Sequence, residues 1–122
     1  MANAPEPLPS VSFEQFTNLD LRVATIIAAE PHPDADRLLK IQLDDGTPEG
    51  RQVCAGIKAW YDPESLVGTQ VVIVANLEPR TIRGEVSQGM IMAGSAADED
   101  AAKGDVCVLR VDRPLPPGSK VS

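Results

Sequence analysis

From Arg37 to Asp44 the chain alternates, with Leu39, Ile41 and Leu43 directed to one side and Leu38, Lys40 and Gln42 to the other. A repeat of two marks a half-buried β-strand and argues against an amphipathic helix, in which apolar positions recur at three and four. Asp45-Gly46-Thr47-Pro48-Glu49-Gly50 is turn chemistry, and Arg51 to Ala55 returns as a partner strand. An isolated hairpin is marginal in water, so the rest of the chain must supply further strands and a cover for the apolar face.

Leu21 to Ala29 reads as a strand preceding this pair, with Leu21, Val23, Thr25 and Ile27 pointing one way and Arg22, Ala24, Ile26 and Ala28 the other. Both faces are largely apolar or small, so the strand is expected to be covered, with Arg22 near its entrance. Thr69 to Ala75 reads as a buried strand, and Ser87 to Met92 as the one after it. Between the third and fourth strands, Asp62 can cap a short helix that begins at Pro63 and ends at Gly68, with Trp60 and Tyr61 packed beside it. A plug helix at that point fits a five-stranded oligonucleotide-binding (OB) barrel, so the expected class is all-β. Aromatics are only 3% of residues, which leaves Val, Ile, Leu and Ala to build the core.

Residues 1–11 carry prolines at positions 5, 7 and 9 and read as a flexible tail ahead of one domain, 12–122. Ser12 and Gln15 have capping-box spacing, and Phe13 and Phe16 share one face of the resulting turn, where they are expected to plug the barrel. Ser95 to Asp105 is small and acidic and reads as a solvated excursion. Val106 to Val111 is a further strand, followed by the proline-stiffened run from Arg113 to Gly118. This C-terminal extension exceeds a minimal barrel. Its apolar residues need cover from their own subunit or from another, and a dimer interface is the expectation.

Several chemistries are disfavoured. A net charge of −7 argues against bulk, sequence-blind adhesion to nucleic acid, although a local basic patch is compatible with it. The longest apolar run, Val71 to Ala75, is far too short for a bilayer, and the N-terminus lacks an export pattern, so a cytoplasmic protein with no membrane association is expected. Cys54 and Cys107 read as buried free thiols, with a disulfide between them as the alternative. His32, Asp34 and Asp36 fall short of a metal ligand set and read as a structural turn, so no metal and no cofactor are expected. No Ser/His/Asp or Cys/His arrangement appears, and no enzyme is expected.

The stretch from Asn76 to Gly94 holds most of the candidate chemistry. A loop stiffened by Pro79 and released at Gly84 carries Arg80 and Arg83 beside Asn76, Thr81, Ser87 and Gln88. Two guanidiniums among neutral hydrogen-bonders suit phosphate and sugar oxygens, whereas the alternative is a surface hairpin with ordinary solvated arginines. Lys40 and Arg51 lie on a strand pair whose outer face is either a binding surface or a solvated one.

Asp20-Leu21-Arg22-Val23, His32-Pro33-Asp34-Ala35-Asp36, Gly56-Ile57, Asn76-Leu77-x-Pro79-Arg80 and Ser87-x-Gly89-Met90 occur in this order. Together they resemble the tRNA-binding OB domain found at the C-terminus of bacterial methionyl-tRNA synthetases, in free-standing Trbp-type proteins and in eukaryotic synthetase-associated factors. The similarity spans residues 13 to 122. It implies a homodimeric, non-catalytic module that binds tRNA by shape, as a helper or beta subunit of an aminoacyl-tRNA synthetase. The implied tRNA-binding set is Asn76, Pro79, Arg80, Ser87 and Met90, extended to Arg22, Lys40 and Arg83; Met90 is either a pocket wall or core. Glu78 and Thr81 stand where relatives often have lysine, which weakens the electrostatic contribution. The rival resemblance is to CsaA-type export chaperones, which share the barrel and bind unfolded polypeptide. An aromatic-poor surface fits a folded RNA better than a base-stacking groove for single strands.

Overall fold

A computed structural model describes residues 6–96 and 104–122. Its ten strands are β1 (Leu21–Pro31), β2 (Leu39–Asp44), β3 (Arg51–Ala55), β4 (Gln70–Val74), β5 (Arg80–Ile82), β6 (Glu85–Ser87), β7 (Met90–Ile91), β8 (Ala93–Ala96), β9 (Asp105–Val108) and β10 (Lys120–Val121). Two single-turn helices accompany them among the described residues, α1 (Phe13–Phe16) ahead of β1 and α2 (Pro63–Leu66) between β3 and β4. The order β3-β2-β1-β4-β7 is antiparallel throughout and curls into the nearly closed five-stranded barrel that the alternation anticipates.

The long β1 makes the curl possible by serving two neighbours. Its first half, Leu21 to Thr25, pairs with β4, and Thr25 to Pro31 pairs with β2. The register to β2 slips between Ile26 and Ala28. A bulge leaves one residue unpaired and re-aims its side chain, so Ile27 is 57% exposed rather than inward with Leu21 and Val23. The largest fully buried side chains of the core are Val23, Ile26, Leu39, Ile41, Leu43, Val53, Leu66, Val71 and Ile73. Leu66 is the plug residue of α2, and Asp62 and Pro63 occupy the expected cap and first-turn positions, although the Asp62 side chain makes no capping bond. Tyr61 packs against the core and accepts a hydrogen bond from the Val108 N–H at 3.1 Å. Trp60 sits at the rim instead, its indole N–H donating to the Gly104 carbonyl at 2.8 Å.

Other expectations need correction. The capping box of Ser12 and Gln15 forms, but Phe13 is 78% exposed and Phe16 only half-buried, so neither plugs the barrel; the two phenylalanine rings lie 6.4 Å apart, tilted to one another. Cys107 is exposed and Cys54 half-buried, both free. The thiol of Cys107 points outward because β9 lies on the barrel surface, paired to β8 with Gly94 opposite Cys107. The presumed loop after Pro79 is a β5–β6 hairpin, and the single strand from Ser87 to Met92 is broken at Gly89. A Cβ on Gly89 would stand 2.6 Å from the Val74 carbonyl oxygen at φ +126°, so only glycine passes there. The acidic excursion begins later than expected, since Ser95 and Ala96 belong to β8; its residues 97–103, like residues 1–5 of the expected tail, lie outside the described residues.

Part of the C-terminal extension finds cover within its own chain. β10 pairs with Leu21 and Arg22, Gly118 N–H donates to the Val23 carbonyl at 2.7 Å, and the Gln70 side chain both donates to and accepts from the Leu115 backbone. Val108 joins the core, while Leu109 and Leu115 remain 39% and 41% exposed.

Candidate nucleic-acid interface

The chain leaves β4, passes Asn76 to Pro79 and enters the β5–β6 hairpin, where Arg80 pairs with Ser87, Thr81 with Val86 and Ile82 with Glu85. Arg83 and Gly84 form its turn with φ values of +47° and +88°, the two positive angles of a type I′ hairpin. Glycine accepts that backbone freely, whereas a left-handed arginine costs about 1 kcal/mol. Arg83 is thereby held at the tip with its side chain in solvent.

The hairpin is fastened to the barrel chiefly by side chains. The Ser87 hydroxyl accepts the Cys54 N–H at 3.0 Å and donates to the Gly89 carbonyl at 3.1 Å. Gln52 and Gln88 exchange backbone and side-chain bonds, and the Gln52 amide also donates to the Val86 carbonyl at 2.9 Å. Arg51 donates to the Ala75 and Gln88 carbonyls and is oriented by Asp45 at 3.0 Å. At the far end His32, 4% exposed, meets the Ile82 carbonyl at 2.8 Å through Nε2 and accepts the Asp34 N–H at 2.9 Å through Nδ1. Both ring nitrogens are therefore engaged by backbone, which makes His32 a bracket.

Beneath the hairpin lies a cleft of about 540 Å³ whose walls include Ile57, Leu77, Arg80, Ser87 and Met90. Arg80 is exposed and has no ion-pair partner among the described residues, and Met90, 46% exposed, is a wall rather than core. Pro79 is exposed at the hairpin's entrance. A shallower depression joins Arg83 to Arg37 and the Asp34–Leu38 loop. Arg37, outside the expected set, is likewise exposed without an ion-pair partner among the described residues. Its proximity to Arg83 arises from the fold, and no local motif announces it. Glu78 also lines the cleft and tempers its positive potential.

The other expected site residues are placed differently. Asn76 accepts the Asp20 N–H at 2.9 Å and donates to the Asn18 carbonyl at 2.7 Å, clasping the segment before β1. Arg22 pairs with Asp20 and donates to the Gly118 carbonyl at 3.1 Å. Lys40 lies between Glu30 at 2.9 Å and Glu85 at 3.5 Å, and the hydrogen bond to Glu30 leads the causes that raise its pKa. Arg80, Ser87 and Met90 thus share the cleft, Pro79 and Arg83 flank it, and Arg22, Lys40 and Asn76 are occupied within the protein. Cys54 also lines the cleft; burial, and then the charge of Glu85, pushes its thiol pKa up, so it is poorly suited to nucleophilic chemistry.

Residues 21–120 match the family model described as a putative tRNA binding domain. The chain is 55% identical over 101 residues to the methionine–tRNA ligase of Chlorobium limicola, a match that covers 83% of this chain and 14% of the ligase. It therefore spans about one seventh of that relative's length. Among solved structures, the chaperone CsaA from Bacillus anthracis superposes with a TM-score of 0.81 at 33% identity, covering 93% of this chain and all of that one. A MetRS-related protein from Pyrococcus horikoshii superposes equally, with a TM-score of 0.81 at 30% identity, covering 94% of this chain and all of that one.

Proposed function

The chain belongs to the putative tRNA-binding domain family, and on that premise we propose that it is a non-catalytic module that grips the folded shape of tRNA. The carrying observation is the hairpin that presents Arg80 and Arg83 to solvent, beside Arg37, above a cleft walled by Ser87 and Met90. Exposed guanidiniums on a braced turn can follow phosphates, while the cleft offers shape and neutral hydrogen-bonders for ribose edges. The described residues that line the cleft include no Phe, Tyr or Trp, which argues against base stacking as its means of attachment. Pro79, Arg80, Arg83, Ser87 and Met90 form the core of the proposed site. Arg22, Lys40 and Asn76 support it through the frame.

The proposed setting is cytoplasmic, with the module acting as a trans-acting helper or beta subunit of methionyl-tRNA synthetase and needing no cofactor. We also propose a homodimer, in which a second copy covers exposed apolar residues such as Phe13, Leu109 and Leu115. Sedimentation of the full chain checks this; a monomer across the micromolar range overturns it.

Titration of deacylated tRNA at two salt concentrations tests the main reading. Affinity is expected to fall with salt, and the double charge reversal Arg80→Glu with Arg83→Glu should weaken binding and lower the salt slope by about 2, one per lost phosphate contact. The same variant should unfold at an unchanged denaturant midpoint, since exposed loop charges contribute little to stability. Undiminished tRNA binding by this variant refutes the assignment.

One observation favours a second reading, a CsaA-type chaperone. Leu77, Val86 and Met90 are 44%, 42% and 46% exposed on and around the hairpin, an apolar surface that an unfolded peptide could cover. Salt-insensitive binding of a model unfolded peptide, with no retention of tRNA, selects that function instead.

A further inference from the structure

We propose that His32 is a positioning residue for RNA binding: its neutral ring fixes the Arg37 loop against the Arg83 hairpin, so that acidification disables the site. This rests on the tRNA-binding reading above. The ring joins two segments that no backbone ladder connects. Nδ1 must accept, because its partner is the Asp34 N–H, and a backbone amide can only donate. The proton then resides on Nε2, which donates to the Ile82 carbonyl, the last residue of β5 before Arg83. The tautomer is fixed by its two partners.

The same loop is closed by His32 N–H to the Leu38 carbonyl at 3.0 Å and by Leu38 N–H to the Ala35 carbonyl at 3.2 Å. Arg37 is carried inside this small ring of chain and faces the depression it shares with Arg83. A proton added to Nδ1 sets an N–H against the Asp34 N–H and places a cation in a buried position with no acceptor on that side. The hairpin half of the bracket survives protonation and the loop half does not, so Arg37 loses its fixed separation from Arg83. The ionisable side chains nearby on the surrounding elements are Glu30 on β1, Asp34, Asp36 and Arg37 in the loop, Lys40 on β2, and Arg80, Arg83 and Glu85 on the hairpin. None of them hydrogen-bonds the ring, and Glu30, Lys40 and Glu85 are engaged with one another.

The sign of the effect separates this mechanism from bulk electrostatics. The chain has a net charge of −7, so protonating its carboxylates should tighten RNA binding in acid. The bracket gives the opposite trend once the ring takes up a proton. Deacylated tRNA, titrated at constant ionic strength down a falling pH series, should bind roughly tenfold more weakly with the ring protonated than at neutral pH, the loss of one charged contact. His32→Asn keeps an acceptor for the Asp34 N–H, and His32→Gln keeps a donor toward Ile82. Each retains half the bracket, so each should bind at neutral pH as weakly as the native chain does in acid, without further acid loss. In an Arg37→Gln background, His32→Asn should cost nothing more.

Nitrogen and amide NMR of the native chain without RNA gives an independent reading that requires no variant. The ring should show the Nε2–H tautomer, and the Asp34 and Arg37 amides should move with the same midpoint as the imidazole. Those shifts with no tRNA binding at any pH would retire the RNA reading, and with it the regulatory claim, while leaving the bracket itself demonstrated. Amides that ignore the imidazole, or tRNA affinity that rises in acid equally in native and His32 variants, would overturn the proposal.

Discussion

Asp45 shows how single residues hold this barrel together. It is almost buried at the turn after β2, where one oxygen accepts both the backbone N–H and the hydroxyl of Thr47, at 3.0 and 2.6 Å, and the other accepts Arg51 at 3.0 Å. Burial by itself pushes the carboxyl pKa up, but the bonds from Thr47 and Arg51 outweigh it and hold it below the ordinary 3.8. A depressed folded-state pKa stabilises the fold above the unfolded value, and that stability is lost as pH falls through the folded one. Acid unfolding of the native chain should therefore gain a component below about pH 4 that Asp45→Asn lacks. At neutral pH the substitution should cost about 2 kcal/mol, because Arg51 loses its charged partner. Urea midpoints measured across pH check both. Since Arg51 reaches from Asp45 to the Ala75 and Gln88 carbonyls, the residue expected as a surface cation is instead a joint between β3, the end of β4 and the hairpin.

At the scale of elements, the hairpin separates stability from binding. Its turn needs two positive φ angles, and the first falls on arginine, which a type I′ turn does not favour. Arg83→Asn creates the preferred Asn-Gly pair and removes one candidate phosphate contact. The variant should gain about 0.5 kcal/mol in stability, since asparagine tolerates the left-handed backbone better. It should also lose tRNA affinity and about one unit of salt slope. Denaturation and tRNA titration of the same sample read the two effects. A fall in both would mean that Arg83 braces the hairpin. The elements easiest to read in sequence were those with their pattern written locally: the β2–β3 hairpin, β4 and α2 at Pro63. Arg83-Gly84 was harder, because Pro79 suggested a loop, and a positive φ at arginine becomes visible only once Arg80 is paired with Ser87.

For the whole molecule, the C-terminal segment bears on whether one chain suffices. Part of it extends the lane beside β1 through β10, Val108 enters the core and Tyr61 binds its backbone, while Leu109 and Leu115 stay exposed where the proposed second copy would lie. A chain ending at Gly104 loses β9 and β10 and uncovers Val71, whose backbone bridges to Arg110. It should lose several kcal/mol and unfold cooperatively at a much lower temperature, whatever its association state, since a core side chain such as Val108 is worth about 1.5–3 kcal/mol by itself. Circular dichroism of the shortened chain, beside sedimentation of the full one, separates folding from self-association. A truncated chain that stays folded as a monomer would return the segment to a purely intersubunit role.

The sequence by itself determined the strand alternation, the capping box, the plug helix and the class of barrel, because each depends on residues a few positions apart, whose spacing is what backbone geometry reads. It also located the arginine-bearing stretch. Tertiary structure alone decided which cations are free. Arg22, Lys40 and Arg51 are claimed by Asp20, by Glu30 and Glu85, and by Asp45, and Arg37 is brought to Arg83 by a bracket through His32. Ion pairing and burial depend on distances in space between residues remote in the chain, and those distances exist only after the barrel has closed.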